Sequence, residues 1–159
     1  MLHHLLPPTY RDSIKKWIEE DLPSTDIGGF VVGDKKETAH LYCKPSSSYD
    51  FVILSGVPFL DYVFSYFDLD ITWFISEGTK ITIKSDEKVL VARVHGKIRN
   101  ILMAERTALN IISRASGVAT EAKIVSDIAL SLGWKGCIAG KLLFSFKYIY
   151  IYIYICMYI

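Results

Sequence analysis

The chain has little of what most metal and redox chemistry is built from. It holds three cysteines in 159 residues, Cys43, Cys137 and Cys156. None has Cys-x-x-Cys spacing and no Cys-His cluster occurs, which argues against a zinc site. Their odd number and wide separation read as buried free thiols in a reducing compartment. An excess of either charge is also missing, since 18 Lys and Arg stand against 17 Asp and Glu. So balanced a chain gives no electrostatic footing for nucleic acid or a membrane surface. The N-terminus, Met-Leu-His-His-Leu-Leu-Pro-Pro, has no basic segment leading into a long apolar core. No secretory signal is read, and the cytoplasm is the expected location. His3, His4, His40 and His95 have neither triad nor metal context and are assigned no chemistry.

Acid is missing altogether from one region. All 17 Asp and Glu precede Gly140, and the last nineteen residues hold two lysines and five of the ten tyrosines. Tyr148 to Ile155 reads Tyr-Ile four times over. Strict alternation of two β-favouring residues fits a strand, but both faces are apolar or aromatic. With no Gly, Pro or charge to protect its edge, such a strand is an aggregation hazard. A membrane helix over Leu142–Ile159 is the weaker reading, because Lys147 interrupts it and Tyr belongs at interfaces. A TA-dinucleotide repeat also encodes Tyr-Ile without end, so translation into an intron is a further reading. Residues 141–159 are accordingly expected to stand outside the fold formed by the rest.

The body up to residue 140 carries ordinary globular patterning. Thr9 is placed to cap a helix over Tyr10–Asp21, with Ile14, Trp17 and Ile18 as its apolar stripe. Asp26 to Phe30 is too glycine-rich for a helix and reads as a turn, and Pro45 to Ser48 as a loop. Strands are expected over Thr38–Lys44, Ile71–Ile75, Ile81–Ile83 and Val89–Val94, and Phe51–Leu54 reads as a short apolar strand or a turn. A second helix, Pro58–Phe67, presents Phe59, Val63, Tyr66 and Phe67 inward. A long helix runs from about Ile98 to Ser116, with Ile98, Ile101, Leu102, Ala108, Leu109, Ile112 and Ala115 on one face. Glu105 sits at the centre of that face and needs a cation or several donors. Arg99, Arg106, Asn110 and Ser113 form a polar stripe beside it. Gly117 interrupts the helix, and Val118–Leu132 continues as another. Cys137 to Ala139 begins a buried strand. Strands with covering helices argue for an α+β domain.

Six stretches together resemble quinolinate phosphoribosyltransferases. They are Leu-Leu-Pro-Pro-Thr-Tyr at 5–10, Glu-Asp-Leu-Pro-Ser-Thr-Asp-Ile-Gly-Gly-Phe-Val-Val-Gly-Asp at 20–34, and Gly-Val-Pro-Phe-Leu-Asp at 56–61. Glu-Gly-Thr-Lys at 77–80, Glu-Arg-Thr-Ala-Leu-Asn at 105–110 and Arg-Ala-Ser-Gly-Val-Ala-Thr at 114–120 complete the set. Each is weak alone; their order and spacing over residues 5–140 are not. The resemblance implies an N-terminal α/β sandwich over 1–113 and the first helix and strand of an incomplete α/β barrel over 114–140. Residues 141–159 are a tail foreign to the family. The implied reaction joins quinolinate to phosphoribosyl pyrophosphate, giving nicotinate mononucleotide, carbon dioxide and pyrophosphate. Magnesium accompanies it as cofactor, and self-association through the N-terminal domain is implied.

In such enzymes the arginine of the Glu-Arg-x-x-Leu-Asn motif reaches a quinolinate carboxylate held by the neighbouring subunit. Here that residue is Arg106, whose planar donors suit a carboxylate. Glu105 and Asn110 are expected as structural support. The family's basic Thr-Arg-Lys-Thr-Thr-Pro-Gly loop does not follow Gly140, where the sequence reads Lys141-Leu142-Leu143-Phe144. The barrel's later basic residues and its magnesium-holding acids are likewise not matched. The implied enzyme is thus represented by a chain expected to be inactive alone. Its rival readings are a non-catalytic fragment docking on full-length subunits and an unstable read-through product.

Overall fold

The computed structural model describes residues 6–22, 33–44, 49–82, 87–134 and 155–158, the last by backbone alone. Helix α1 (Tyr10–Asp21) is followed by β1 (Lys36–Cys43), β2 (Phe51–Ile53), α2 (Val57–Tyr66), β3 (Asp70–Trp73), β4 (Lys80–Thr82), β5 (Val89–Lys97), α3 (Ile98–Ser131) and β6 (Ile155–Tyr158). An antiparallel sheet has the strand order β3-β5-β1-β6, and β2 pairs with β4 separately. The three helices pack on one another, and α3 also packs on β1 and β5. Alternation sets which side of the sheet meets them. Ala39, Leu41 and Cys43 of β1, with Ala92 and Val94 of β5, are buried. They meet Ile14, Leu60, Phe64, Ile101 and Ile112 of the helices in one core. The expected α+β sandwich is what forms.

At Gly96 on β5 an added Cβ would press on the end of the Leu69 side chain, which would have to turn aside. Glycine there lets the turn before β3 pack closely on the sheet.

Several local expectations give way to tertiary forces. Thr9 makes no side-chain cap, because its ψ of 0° is not the extended geometry that turns a hydroxyl toward the next amides. Its carbonyl accepts the Ser13 amide instead. Trp17 is 45% exposed, while Ile14 and Ile18 are buried. On α2 the inward face is Val57, Leu60, Val63 and Phe64, and Tyr66 points to solvent. Phe59 meets the Tyr10 ring edge-on, centroids 5.9 Å apart. Of the four residues expected inward, Val63 and Phe67 are buried, Phe59 packs at the margin of the core, and only Tyr66 is exposed. On α3, Leu102 is exposed and Ala104 takes its place inside. The turn at Asp26 to Phe30, the loop at Pro45 to Ser48, and the strand beginning at Cys137 lie outside the described residues.

The largest departure is at Gly117, where α3 does not break but runs through 34 residues. A helical glycine costs about 1 kcal/mol, and two hydroxyls beside it offset that. Ser116 Oγ accepts the Ser55 amide at 3.0 Å and donates to the Ser55 carbonyl at 3.1 Å. Thr120 Oγ1 accepts the Ile53 amide at 2.9 Å. Residues two apart on an extended segment rise roughly 6.6 Å and residues four apart on a helix about 6 Å, so the spacings match. Tyr49 adds a third tie by donating to the Glu121 carboxylate. The free side of β2 is thus completed by a helix instead of another strand.

The tail departs too. Part of it, β6, is paired with β1 in the sheet. The tail therefore does not lie wholly outside the fold; of the alternating run only Ile155 belongs to β6, and residues 148–154 lie outside the described residues.

Cys43 is buried among described residues with no disulfide. Burial pushes its thiol up to about 11. A raised folded value means that its contribution to stability is complete below the unfolded value and lost as pH rises toward 11. Urea midpoints measured at pH 8 and pH 11 should fall further for the parent than for Cys43→Ala.

Candidate functional site

The surface around the middle of α3 gathers the polar residues that the sequence singled out. Asp21 ends α1 and faces α3, because at i+7 from Ile14 and i+3 from Ile18 it continues the stripe by which that helix packs inward. Thr107 is buried and donates from Oγ1 to Asp21 Oδ2 at 2.7 Å. The other carboxylate oxygen, Oδ1, lies 3.5 Å from Nε of Arg106. Thr107 thus fixes the carboxylate, and the carboxylate draws in the base of the guanidinium. The Arg106 side chain remains 77% exposed. An ion pair so wet is worth about 0–1 kcal/mol and orients more than it stabilises. The terminal nitrogens carry four further N–H donors suited to a planar anion.

Beside this group lies a groove of ≈ 800 Å³ between α1, the start of α2, and α3. Trp17, Phe59, Ile111 and Val118 line its apolar part, with Glu20, Asp21, Asn110 and Arg114 at its polar part. Arg106, Asn110 and Arg114 are all exposed and follow at four-residue spacing, one turn apart. Arg114 therefore belongs with Arg106, a grouping the sequence reading missed. Its spacing of eight from Arg106 was the available signal. Arg99 does not join them; it lines a separate pocket of ≈ 400 Å³ with Asp34, Lys36, Asp68, Asp70 and His95.

Glu105 is half-buried, and desolvation raises its carboxyl above the ordinary range. Among the described residues it has no ion pair or hydrogen bond, in place of the pairing expected from the sequence. Its stabilising contribution is complete below the unfolded value and falls as pH rises through the folded one.

The pattern-based reading also missed Glu77. One carboxylate oxygen accepts Ser55 Oγ at 2.9 Å and the Gly56 amide at 3.1 Å; the other accepts the Val57 amide at 2.8 Å. Gly56, with φ +106°, turns the chain into α2, and a Cβ on it would lie 3.1 Å from Ala115 Cβ. The first turn of α2 is then fully satisfied. Pro58 has no N–H, and the Phe59 amide bonds to the Gly56 carbonyl. A carboxylate at a helix N-terminus also complements the dipole.

Among the described residues no three His, Cys, Asp or Glu stand together to hold a metal. No helix among the described residues is long and apolar enough to cross a membrane.

Residues 24–116 match the family model of the quinolinate phosphoribosyl transferase N-terminal domain. The chain is 34% identical over 140 residues to the carboxylating nicotinate-nucleotide pyrophosphorylase of Rattus norvegicus, covering 87% of this chain and 44% of that one. To the protein of the same name from Dictyostelium discoideum it is 36% identical over 138 residues, covering 80% and 44%. A solved nicotinate-nucleotide pyrophosphorylase from Francisella tularensis superposes with a TM-score of 0.64 at 26% identity, over 76% of this chain and 42% of that one. The chain therefore spans less than half the length of these relatives. It belongs to the quinolinate phosphoribosyl transferase family, which it matches through that family's N-terminal domain.

Proposed function

We propose that this chain serves as the N-terminal sandwich of a quinolinate phosphoribosyltransferase and presents Arg106 to a quinolinate carboxylate in a neighbouring subunit. The exposed guanidinium of Arg106, based on Asp21 by way of buried Thr107, is the observation that carries the reading. A bidentate arginine–carboxylate pair supplies both charge and orientation. The reaction served is phosphoribosyl transfer from phosphoribosyl pyrophosphate to quinolinate with decarboxylation, yielding nicotinate mononucleotide. Magnesium belongs to the same proposal, as the partner of pyrophosphate oxygens. Its protein ligands would come from outside the described residues.

The division into 1–113, 114–140 and 141–159 is part of the proposal, with the first boundary falling inside α3. The far half of that helix supports it. Val125, Ile128 and Leu130 are exposed there, and Leu132 is 81% exposed, as befits a helix built to be covered by a further unit. Cytoplasmic placement rests on the free thiol of Cys43.

The 159-residue chain supplies one contact of that reaction and not its centre. Purified chain given quinolinate, phosphoribosyl pyrophosphate and magnesium is expected to release no pyrophosphate above background. Measurable release overturns this part of the proposal. The same exposed face of α3 favours a second reading, a non-catalytic module docked on full-length subunits. Co-expression tests the docking that both readings need: a mixed oligomer supports it, homogeneous full-length enzyme beside free chain removes it, and the two then divide on whether Arg106 of the docked chain restores turnover.

A further inference from the structure

We propose that α3 pairs with α3 of a second copy of this chain, antiparallel about a two-fold axis between Ser116 and Gly117. The middle of that helix forms one wall of the groove beside α1, where Ile111, Ala115, Val118 and Ala122 line it. The same row continues through Val125 and Ala129, at alternating steps of four and three. Four-three stepping of apolar residues is the heptad pattern of a seam that a second helix fills. Among the described residues nothing closes this one: Val118 is 43% exposed and Val125 45%. The seam is independent of the role proposed for Arg106, which is five residues before Ile111 and so about 140° round the helix.

Charge selects the occupant. Arg114 and Glu121 lie on one flank of the seam, one heptad apart. Antiparallel pairing sets Arg114 opposite Glu121 of the second copy, and symmetry sets Glu121 opposite its Arg114. Both groups are able to meet a partner there. Arg114 has no ion pair or hydrogen bond among the described residues. Glu121 accepts the Tyr49 hydroxyl on Oε1, which leaves Oε2 for a guanidinium.

Residue size agrees with this register. It places Ala115 against Val118 of the second copy, and Ala122 against its Ile111. Small against large at every layer lets the helix axes approach to about 8 Å. A slip of one heptad either way sets Glu121 against Glu121 or Arg114 against Arg114, and like charges across an interface oppose it. Parallel pairing puts Arg114 beside Ala119 and Glu121 beside Ser126, so neither finds an opposite charge. One direction and one register remain. The contact is isologous and closes at two copies.

The test uses the full chain. Sedimentation of the parent should show a dimer. Arg114→Glu sets acid against acid at both contacts and Glu121→Arg base against base, so each should weaken pairing about tenfold or more. Mixing the two variants restores opposite charges at both contacts and should restore the dimer, which also shows that each variant is folded. A monomeric parent overturns the proposal, and so does a mixture no stronger than its components. Disulfide formation reads the seam directly, whatever other contacts the chains make. In a Cys137→Ser and Cys156→Ser background, a tagged Ala115→Cys chain should crosslink to an untagged Val118→Cys chain and not to an untagged Ala129→Cys chain, which the register holds out of reach. No crosslink in either mixture, or equal crosslinking in both, overturns the pairing.

Discussion

Replacing Glu77 by alanine should lower stability by about 3 kcal/mol, equivalent to a fall of roughly 10 °C in Tm. The carboxylate holds three donors at once: the Ser55 hydroxyl and the Gly56 and Val57 amides. Removing an N-cap acceptor costs about 0.5–2 kcal/mol, and a hydrogen bond to a charged group about 1.5–3 kcal/mol. The loss does not stop at α2. Gly56 packs against Ala115, and Ser55 is tied on its other side to Ser116, so a frayed first turn loosens α3 as well. Glu77→Gln keeps one acceptor oxygen and should recover about half of the loss. Thermal unfolding of the two variants beside the parent checks this. Equal Tm values for parent and Glu77→Ala would remove the capping account.

Local pattern made most elements legible, since period-two and period-3.6 burial are properties of neighbours in sequence. β5 and all three helices begin within about a residue of where periodicity put them. Facing was read less well. Trp17 and Tyr66 stand exposed beside stripe members Ile14, Ile18, Val63 and Phe67 that are buried, and Leu60 and Phe64 complete the inner face of α2. What the sequence could not show was the long-range pairing of polar groups. Thr107 and Asp21 are 86 residues apart, and Thr120 and Ile53 are 67 apart. Helix α3 survives Gly117 because of such pairs, which no window around the glycine contains.

The recognisable motifs acquire separate meanings from this. In Arg-Ala-Ser-Gly-Val-Ala-Thr, Thr120 and Ser116 tie down β2 and the residues just after it, and Arg114 is the charged member of the four that line the groove, beside Ala115, Val118 and Ala119. In Glu-Gly-Thr-Lys, Glu77 is the cap of α2. In Glu-Arg-Thr-Ala-Leu-Asn, Thr107 is the buried support and Arg106 the group it serves. Glu77, Thr107, Ser116 and Thr120 are scaffold, and the proposed binding function rests on a short exposed stripe of one helix.

The second large effect is expected at that stripe. A bidentate pair with a carboxylate is worth about 3 kcal/mol, so Arg106→Ala should raise the KM for quinolinate roughly a hundredfold in an assembly that depends on it. Asp21→Asn should raise KM only a fewfold, about 0–1 kcal/mol, because the exposed ion pair aims the guanidinium without supplying its charge. Neither change should alter the fold, since Arg106 is exposed and an asparagine at 21 keeps an oxygen to accept from the Thr107 hydroxyl. The split between the two variants separates binding from aiming.

The most direct measurement mixes this chain with full-length subunits of a relative whose arginine aligned to Arg106 has been changed to alanine. Nicotinate mononucleotide formation is then followed at limiting quinolinate. The account predicts none from the chain alone, restored formation from the mixture, and no restoration by the Arg106→Ala chain. Equal restoration by the parent and Arg106→Ala chains, or failure of the parent chain to restore any formation in an assembled mixture, would contradict it.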